Sequence, residues 1–270
     1  MEERRELAKY VMVERGLSER QACRTLNLHR CTYRYPAKRP DDHEIVEELH
    51  QLAENQPSWG CRKMTDYLRN HGHRWNHKRI RRVYCNLALN LHRKPKKRLA
   101  ARTALALEVP ALSDQTWSLD FMSDSLSNGR AIRTLNIIDD YNREALWIEV
   151  DTSLPAERVV RVLENLLLWR ASPKQIRMDN GPELISQRLE SWAKQKHVDL
   201  IHIQPGKPAQ NAYIERFNRT FREDVLDAYL FDDLEEVRAI TERWLEEYNT
   251  IRPHEALQGL PPRQFTLQNA

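Results

Sequence analysis

The sequence predicts an α/β protein in which a mixed sheet core of order βββαβαβα is preceded by small all-α helix-turn-helix modules. Three observations support this fold class. Apolar residues at helical spacing dominate the first 100 residues, alternating strand-like segments begin after Pro110, and short strands then alternate with amphipathic helices. The chain has 270 residues, of which 40% are hydrophobic and 30% charged. This allows one large domain and one or two small ones, and excludes a chain that is disordered throughout.

Several protein classes are excluded by composition. No window approaches the 18 or so uncharged apolar residues of a membrane span, and Met1 is followed by Glu-Glu-Arg-Arg-Glu in place of an apolar signal core. A cytoplasmic protein with no membrane partner is expected. The four cysteines lack the close pairs of a zinc ribbon and are too few for a disulfide scaffold, so we expect them to be reduced.

Charge is distributed unevenly along the chain. Residues 1–100 hold 23 Lys and Arg against 12 Asp and Glu, a net +11, while residues 101–270 hold 20 against 27, a net −7. A basic region attracts polyanions, because each phosphate contact releases counterions. Nucleic acid is therefore the leading candidate partner, and a solvated basic face is the alternative.

Residues 1–37 are predicted to form a helix-turn-helix segment. Apolar spacing predicts a helix over 2–15, Ser18 is placed to cap a second helix, and a third short helix follows. The last helix of such a motif enters the major groove of DNA, so Arg30 and Arg34 are candidate DNA contacts. A plain three-helix scaffold is the alternative.

Residues 41–92 are predicted to form a second helical DNA-binding module, after a Pro-rich linker at 36–40. Its third helix, capped by Asn76, begins His-Lys-Arg-Ile-Arg-Arg and carries a basic flank opposite an apolar stripe. The candidate DNA contacts on this flank are Lys78, Arg81 and Arg82. Residues 93–111 are predicted to be a basic linker.

Residues 112–228 are predicted to form the sheet core, and 229–270 a C-terminal helical segment. Asp139 and Asp140 fall at a hairpin turn, where a structural role is favoured. The predicted strands are 115–122, 133–138, 144–150, 175–178 and 198–203, and the predicted helices are 156–169, 182–196 and about 208–226.

Three carboxylates fall where this architecture can bring them together. Asp120 lies in the first strand, Asp179 directly follows the fourth, and Glu215 lies in the long helix. Such a cluster is strongly repulsive unless divalent cations neutralise it. Two Mg²⁺ ions could then activate a nucleophilic oxygen and stabilise a leaving oxygen at a phosphodiester.

Three sequence blocks carry a family resemblance. Thr-Trp-Ser-Leu-Asp-Phe-Met at 116–122, Met-Asp-Asn-Gly-Pro-Glu at 178–183 and Asn-Ala-Tyr-Ile-Glu-Arg-Phe-Asn-Arg-Thr-Phe-Arg at 211–222 resemble the catalytic blocks of DDE transposases and retroviral-type integrases. The segment at 248–262, which contains Arg-Pro-His, resembles the C-terminal signature of the OrfB product of the IS-three family of bacterial insertion sequences. The resemblance covers nearly the whole chain.

The resemblance implies a ribonuclease H-like fold and an integrase catalytic core. It implies that Asp120, Asp179 and Glu215 are catalytic and hold Mg²⁺ or Mn²⁺, and that Arg222 contacts DNA. The implied reaction is metal-dependent cleavage at the element ends, followed by attack of the freed 3′-hydroxyl on another phosphodiester during transposition. Transposon ends and target DNA are the implied partners.

The resemblance also leaves alternatives open. Retroviral integrases carry a His-His-Cys-Cys zinc module, and the Cys and His spacings here do not form one, so zinc is not predicted. We expect a homo-oligomer on DNA, and fusion to an upstream OrfA product is an open question. A DNA-binding regulator without catalysis and a ribonuclease H or resolvase-like nuclease are the competing functions.

Overall fold

The chain folds into two compact units, residues 1–44 and 45–270. The predicted linker at 36–40 and most of the linker at 93–111 lie outside the described residues. Among the helices that are described, none is long and apolar enough to cross a membrane. The structure is a computed structural model that describes residues 2–35, 41–91, 107, 109–204 and 208–269.

The first unit contains three helices, α1 (Glu2–Arg15), α2 (Glu19–Thr25) and α3 (Arg30–Arg34). They lie within two residues of the predicted positions. Ser18 caps α2 through a capping box with Gln21, in which each side chain accepts from the other residue's backbone N–H. Sequence capping signals therefore locate this helix correctly.

Three further helices follow, α4 (His43–Asn55), α5 (Cys61–Asn70) and α6 (His77–Asn86), and all but the first two residues of α4 belong to the second unit. Asn76 caps α6 by accepting a hydrogen bond from the Lys78 backbone N–H, as predicted. These helices share a small core of their own, because each presents one apolar stripe to the other two. Its fully buried members include Ile45, Leu49, Met64, Leu68 and Ile80.

A five-stranded mixed sheet follows, with spatial order β3-β2-β1-β4-β5. Its first three strands are antiparallel, while β1 pairs with β4 and β4 with β5 in parallel. The strands are β1 (Thr116–Ser125), β2 (Ala131–Asp139), β3 (Ala145–Asp151), β4 (Gln175–Met178) and β5 (Asp199–His202), and the longer helices are α7 (Ala156–Leu166), α8 (Gln187–Lys196), α9 (Ala212–Phe221), α10 (Leu234–Thr250) and α11 (Pro262–Gln268). The predicted order βββαβαβα is confirmed.

Both faces of the sheet are covered. Alternate β1 residues face opposite ways, so Trp117 and Leu119 pack in one core with α7 and α8, while Met122 packs in the other with α9 and α10. The four apolar residues of β1 all pack in one core or the other, which leaves six polar residues in the same strand. The polar side chains in its covered part, which include Asp120, need a structural or functional reason.

Two predicted helices differ from the observed ones. The helix expected over 182–196 begins at Gln187, because Ser186 accepts a hydrogen bond from the Leu189 backbone N–H and caps it there. The long helix expected over about 208–226 is divided into a 3-10 turn at Pro208–Asn211, α9, and one π-helical turn at Arg222–Leu226. Such π turns occur often at functional sites.

Helix α5 packs against the C-terminal segment within the second unit. Asn70 donates from Nδ2 to the Gly259 carbonyl oxygen at 2.8 Å, and Arg62 pairs with Glu255 at 2.7 Å. Gly259 has a φ of +83°, and a β-carbon there would lie 2.9 Å from Cγ of Asp66. The close approach therefore requires glycine.

Candidate active site

The parallel pairing of β1 with β4 brings two of the predicted carboxylates together. Ser118 lies opposite Arg177 in the register of these strands. Two residues further along each strand, Asp120 and Asp179 reach the same level of the sheet edge. The site thus lies where the parallel strand β4 ends, the usual position of ligand sites in such sheets.

Helix α9 supplies the third carboxylate. It crosses the sheet so that Asn218 donates from Nδ2 to Oδ2 of Asp120 at 2.7 Å and accepts on Oδ1 from Nδ2 of Asn136 at 2.7 Å. Glu215 lies three residues before Asn218, on the same side of α9 and close to Asp120. Its side chain is exposed to solvent.

The three charges interact. The pKa of Asp120 is raised to about 6, chiefly by burial and next by the negative charge of Asp179, with a smaller contribution from Glu215 and against the lowering effect of hydrogen bonds from Phe121 and Asn218. A carboxylate pKa raised by like charges is the signature of carboxylates that share one site. The structure therefore places Asp120, Asp179 and Glu215 as one electrostatic cluster.

The loop after β4 shapes the surroundings of Asp179. Its Oδ1 accepts a hydrogen bond from the Gly181 backbone N–H at 3.1 Å, and a β-carbon at Gly181 would lie 3.1 Å from that oxygen. Asn180 donates from Nδ2 to the Ile203 carbonyl oxygen at 3.0 Å, which ties the loop to the end of β5. The loop therefore packs closely against the Asp179 carboxylate at Gly181.

The donor set fits a hard divalent cation. In the part of the chain that the structure describes, Asp120, Asp179 and Glu215 form no ion pair with Lys, Arg or His, so their charges are not neutralised by protein. Carboxylate oxygens are the ligands that Mg²⁺ prefers. Within the same residues, however, no three Asp, Glu, His or Cys side chains converge tightly enough to form a complete metal site.

Arg222 lies at the C-terminal end of α9 and contacts the sheet. Its guanidinium donates to Oδ2 of Asp124 at 3.1 Å and to the Ser123 carbonyl oxygen at 2.9 Å. Arg222, which is predicted to contact DNA, is therefore already paired with groups at the end of β1.

The other predicted DNA-contacting residues lie on exposed helix surfaces. Arg34 pairs with Glu19 at 2.9 Å, and Arg30 is at the start of α3. On α6 the basic flank faces away from the apolar core, as the helical pattern predicts. Its exposed members are Lys78, Arg81 and Arg82.

Sequence reasoning missed Asn218 and Asn136. Both are buried, and together they fix the Asp120 carboxylate from α9 and from the opposite position on β2. A signal for Asn218 was present, because its spacing of three residues from Glu215 puts both on one side of a helix. Asn136 could not be recognised without the strand register.

Asp139 and Asp140 have structural roles, as expected. Asp139 accepts hydrogen bonds from the backbone N–H groups of Asp114 and Tyr141 at the β2–β3 turn. Asp140 pairs with Nη1 of Arg177 at 2.6 Å and accepts from Oγ of Ser118 at 2.7 Å. Both carboxylates are fully buried and satisfied within the fold, away from the cluster.

Comparison with known proteins identifies the family. The Integrase core domain is matched by residues 110–208, a second Integrase core domain pattern by 196–262, and an HTH-like domain by 39–98. An uncharacterized 31.7 kDa protein of insertion element IS407 from Burkholderia multivorans is 38% identical over 94% of this chain and 92% of its own length. An uncharacterized 39.2 kDa protein of insertion element IS476 from Xanthomonas euvesicatoria is 36% identical over 97% of this chain and 76% of its own length.

More distant similarity supports the same assignment. Transposase InsD of insertion element IS2D from Escherichia coli (strain K12) is 25% identical over 87% of this chain and 82% of its own length. A chain in the simian T-cell lymphotropic virus intasome bound to PP2A regulatory subunit B56 gamma matches with a TM-score of 0.52 and 14% identity, covering 82% of this chain and 74% of that one. This last likeness shows the fold, which is the ribonuclease H-like core that the sequence implies. The chain belongs to the family of insertion-sequence transposases with an integrase core domain and an HTH-like domain, and its function is in insertion-sequence transposition.

Proposed function

We propose that the chain is a DDE-type polynucleotidyl transferase that cleaves DNA at the ends of its element and joins the freed 3′-hydroxyl to target DNA. The observation that carries this proposal is the cluster of Asp120, Asp179 and Glu215, whose charges interact and are not neutralised by protein. Buried or partly buried like charges are costly, so a binding module would gain nothing from them. A metal-dependent phosphoryl transfer requires them.

Mg²⁺ or Mn²⁺ would be held by these three carboxylates. When bound, the cations supply positive charge to the reacting oxygens of a phosphodiester. Asn218 orients the Asp120 carboxylate, and the Gly181 backbone N–H orients that of Asp179. In the transfer step the oxygen of a 3′-hydroxyl forms a bond to phosphorus as the bond from phosphorus to the target's own 3′-oxygen breaks, so no nucleotide cofactor is consumed.

DNA would be held by the helical modules and by the end of α9. The exposed basic flank of α6 suits phosphate contacts, and the matched HTH-like region includes this helix. We assign DNA contacts to Lys78, Arg81 and Arg82, with Arg30, Arg34 and Arg222 as further contacts. The division of the chain into domains and linkers is also a proposal. The bounds are those predicted from the sequence: 1–37, 41–92, 93–111, 112–228 and 229–270.

Assembly and setting complete the proposal. Joining two element ends to one target requires at least two active sites, so we propose a homo-oligomer on DNA, acting in the cytoplasm. An upstream OrfA product, separate or fused, is proposed as a further partner. Its requirement is decided by adding that product to the reaction described next.

The deciding experiment measures cleavage and joining of a labelled element end with Mg²⁺ or Mn²⁺. The purified chain is compared with Asp179→Asn and with the matched control Asp199→Asn, which changes an exposed aspartate at the start of the neighbouring strand. We expect joining by wild type and the control, and its loss in Asp179→Asn. Hydrolysis without joining would favour the nuclease alternative. Equal activity of both variants would refute the carboxylate site, and salt-sensitive DNA binding without any reaction, even with the upstream product, would favour the regulator.

A further inference from the structure

A second charged site lies on the other side of α9 from the carboxylate cluster. A cavity of about 570 Å³ opens between α5, α9, the β2–β3 turn and the segment 252–256. Five cationic side chains but only two carboxylates, Asp66 and Glu255, line it. The cations are Arg62, Lys63, Arg143, Arg216 and Arg252.

Two of the five cations are already neutralised. Arg62 pairs with Glu255 at 2.7 Å, and Arg252 pairs with Asp224. The remaining three, Lys63, Arg143 and Arg216, form no ion pair with any described residue. The lining thus carries an excess of positive charge that no protein group balances.

Unpartnered polar atoms point to a missing ligand. Nη1 of Arg143 and Nε2 of His254 are buried and have no hydrogen-bond partner among the described residues. A buried polar atom that is left without a hydrogen bond destabilises the fold. An anion in the cavity would accept from Nη1 of Arg143, which would then have a partner.

The Arg143 side chain is held in place for such a contact. Its Cζ lies 3.4 Å from the centroid of the Tyr213 ring, and its backbone has a φ of +61°, which is unfavourable for an arginine. Stacking on tyrosine fixes the guanidinium plane, which leaves its edge free to bind an oxyanion. A planar guanidinium presents paired donors that match phosphate oxygens.

The lowered pKa of Lys63 is consistent with a cavity that binds an anion. The pKa of Lys63 is lowered to about 7, chiefly by burial and also by the positive charges of Arg252 and Arg216, against the opposing effect of Asp224 and Glu223. Burial also lowers the pKa of His254 well below its usual value, assisted by Arg252 and Lys63. A bound anion would offset the repulsion among the positive charges of these groups.

We propose that Lys63, Arg143 and Arg216 form a phosphate-binding site in this cavity. The ligand chemistry is a phosphate group, which DNA backbone and free phosphate both supply. Arg216 follows Glu215 in the chain, so a DNA strand that leaves the proposed catalytic cluster could continue across α9 to this cavity. DNA as the source of the phosphate rests on the proposed function, but the tests measure binding without divalent cations, so a failure of catalysis and a failure of this site are distinguishable.

The first test uses DNA. Binding of a fluorescent duplex to the full chain is measured against salt concentration in EDTA. Each lost phosphate contact is expected to reduce the slope of log K against log salt by about 0.9. We expect that reduction in Arg216→Gln, in Lys63→Gln and, without further loss, in the double variant, because both side chains would hold the same phosphate. The charge-matched control Arg188→Gln, at an exposed position on α8, should keep the wild-type slope.

The second test uses inorganic phosphate. Melting temperature is followed as phosphate replaces chloride at constant ionic strength, since a ligand that binds only the folded state raises stability. The melting temperature of wild type and Arg188→Gln should rise with phosphate, and that of Arg216→Gln and Lys63→Gln should not. This result would support the site. If the slopes in the DNA test are unchanged at the same time, the ligand is a free phosphate. Failure of both tests would overturn the proposal. An effect of Arg216→Gln without one of Lys63→Gln would also overturn it, because the contact would then lie on the exposed surface of α9.

Discussion

Asn218 on α9 donates a hydrogen bond from Nδ2 to Oδ2 of Asp120 on β1 at 2.7 Å, across a separation of 98 residues in the chain. Its Oδ1 accepts in turn from Asn136, so the amide is fixed between two strands. Together with the Phe121 backbone N–H on Oδ1, this contact orients the Asp120 carboxylate of the proposed catalytic cluster. Positioning groups of this kind behave as part of the site that they orient.

Asn218→Ala is expected to reduce DNA joining roughly 10–100-fold, the usual cost of losing a group that orients a metal ligand. The loss should be partly reversed by raised Mg²⁺ or Mn²⁺, because the carboxylate is still present but less well positioned. Joining is measured against metal concentration, with Asn165→Ala, an exposed asparagine of α7, as the matched control. A metal dependence equal to that of wild type would contradict the positioning role.

Gly181→Ala is expected to disturb Asp179. The new β-carbon would lie 3.1 Å from Oδ1 of Asp179, closer than ordinary contact, so the carboxylate must shift. The carboxylate must move by a few tenths of an ångström, less than the shift of about 1 Å that can cost roughly 100-fold in rate. Joining should therefore fall by less than about 100-fold while the melting temperature and DNA affinity change little. Joining at the wild-type rate, or a general loss of folding, would show that the loop does not confine Asp179 in this way.

Much of the fold and part of the site could be predicted from sequence because the signals are local. The alternation of apolar and polar residues predicts β1. The position of Asp179 follows from the predicted end of β4 alone. Asn136 and the cavity beside Lys63 could not be predicted, because both depend on residues brought together from distant segments. The helix after Asp179 was expected to begin at Pro182, a favoured first position, but Ser186 determines the start. The residues between Asp179 and Ser186 instead form the loop that shapes the Asp179 site.

Asp140→Asn is expected to change how stability depends on pH. Burial raises the pKa of Asp140 to about 6, although Ser118 donates to it and Arg177 pairs with it. A carboxyl whose pKa is higher in the folded than in the unfolded chain binds protons preferentially in the folded state. Wild type should therefore gain stability relative to the variant as the pH falls from about 7 to about 4.

Urea unfolding of both proteins at several pH values measures this difference. Asp199→Asn is the control, because it removes an exposed carboxylate from the same sheet. Contributions from acids that do not interact with Asp140 are common to wild type and Asp140→Asn and cancel in the difference, whereas Asp139, whose charge acts on Asp140, contributes to it. Curves of wild type and Asp140→Asn that run parallel from pH about 7 to pH about 4 would contradict the raised pKa.

Lys63→Met is expected to stabilise the protein at neutral pH in phosphate-free buffer. Burial, together with the charge of Arg252, lowers the pKa of Lys63 to about 7, so the folded state binds this proton less tightly than the unfolded chain. The full cost of the buried charge is therefore present below pH about 7, and it is relieved as the pH rises towards the unfolded value near 10.4. Wild type should gain stability relative to Lys63→Met over that range, by up to about 1.4 kcal/mol per pH unit.

Unfolding free energies of wild type and Lys63→Met across this pH range provide the measurement, with Lys194→Met as the control at an exposed lysine of α8. The advantage of Lys63→Met should shrink as the pH rises, while Lys194→Met should show no such trend. Adding inorganic phosphate at neutral pH should stabilise wild type but not Lys63→Met, since only wild type offers the charge that the anion would neutralise. A variant that is less stable than wild type at neutral pH would mean that the lysine already has a favourable partner in the fold, which would contradict an unbalanced positive cavity.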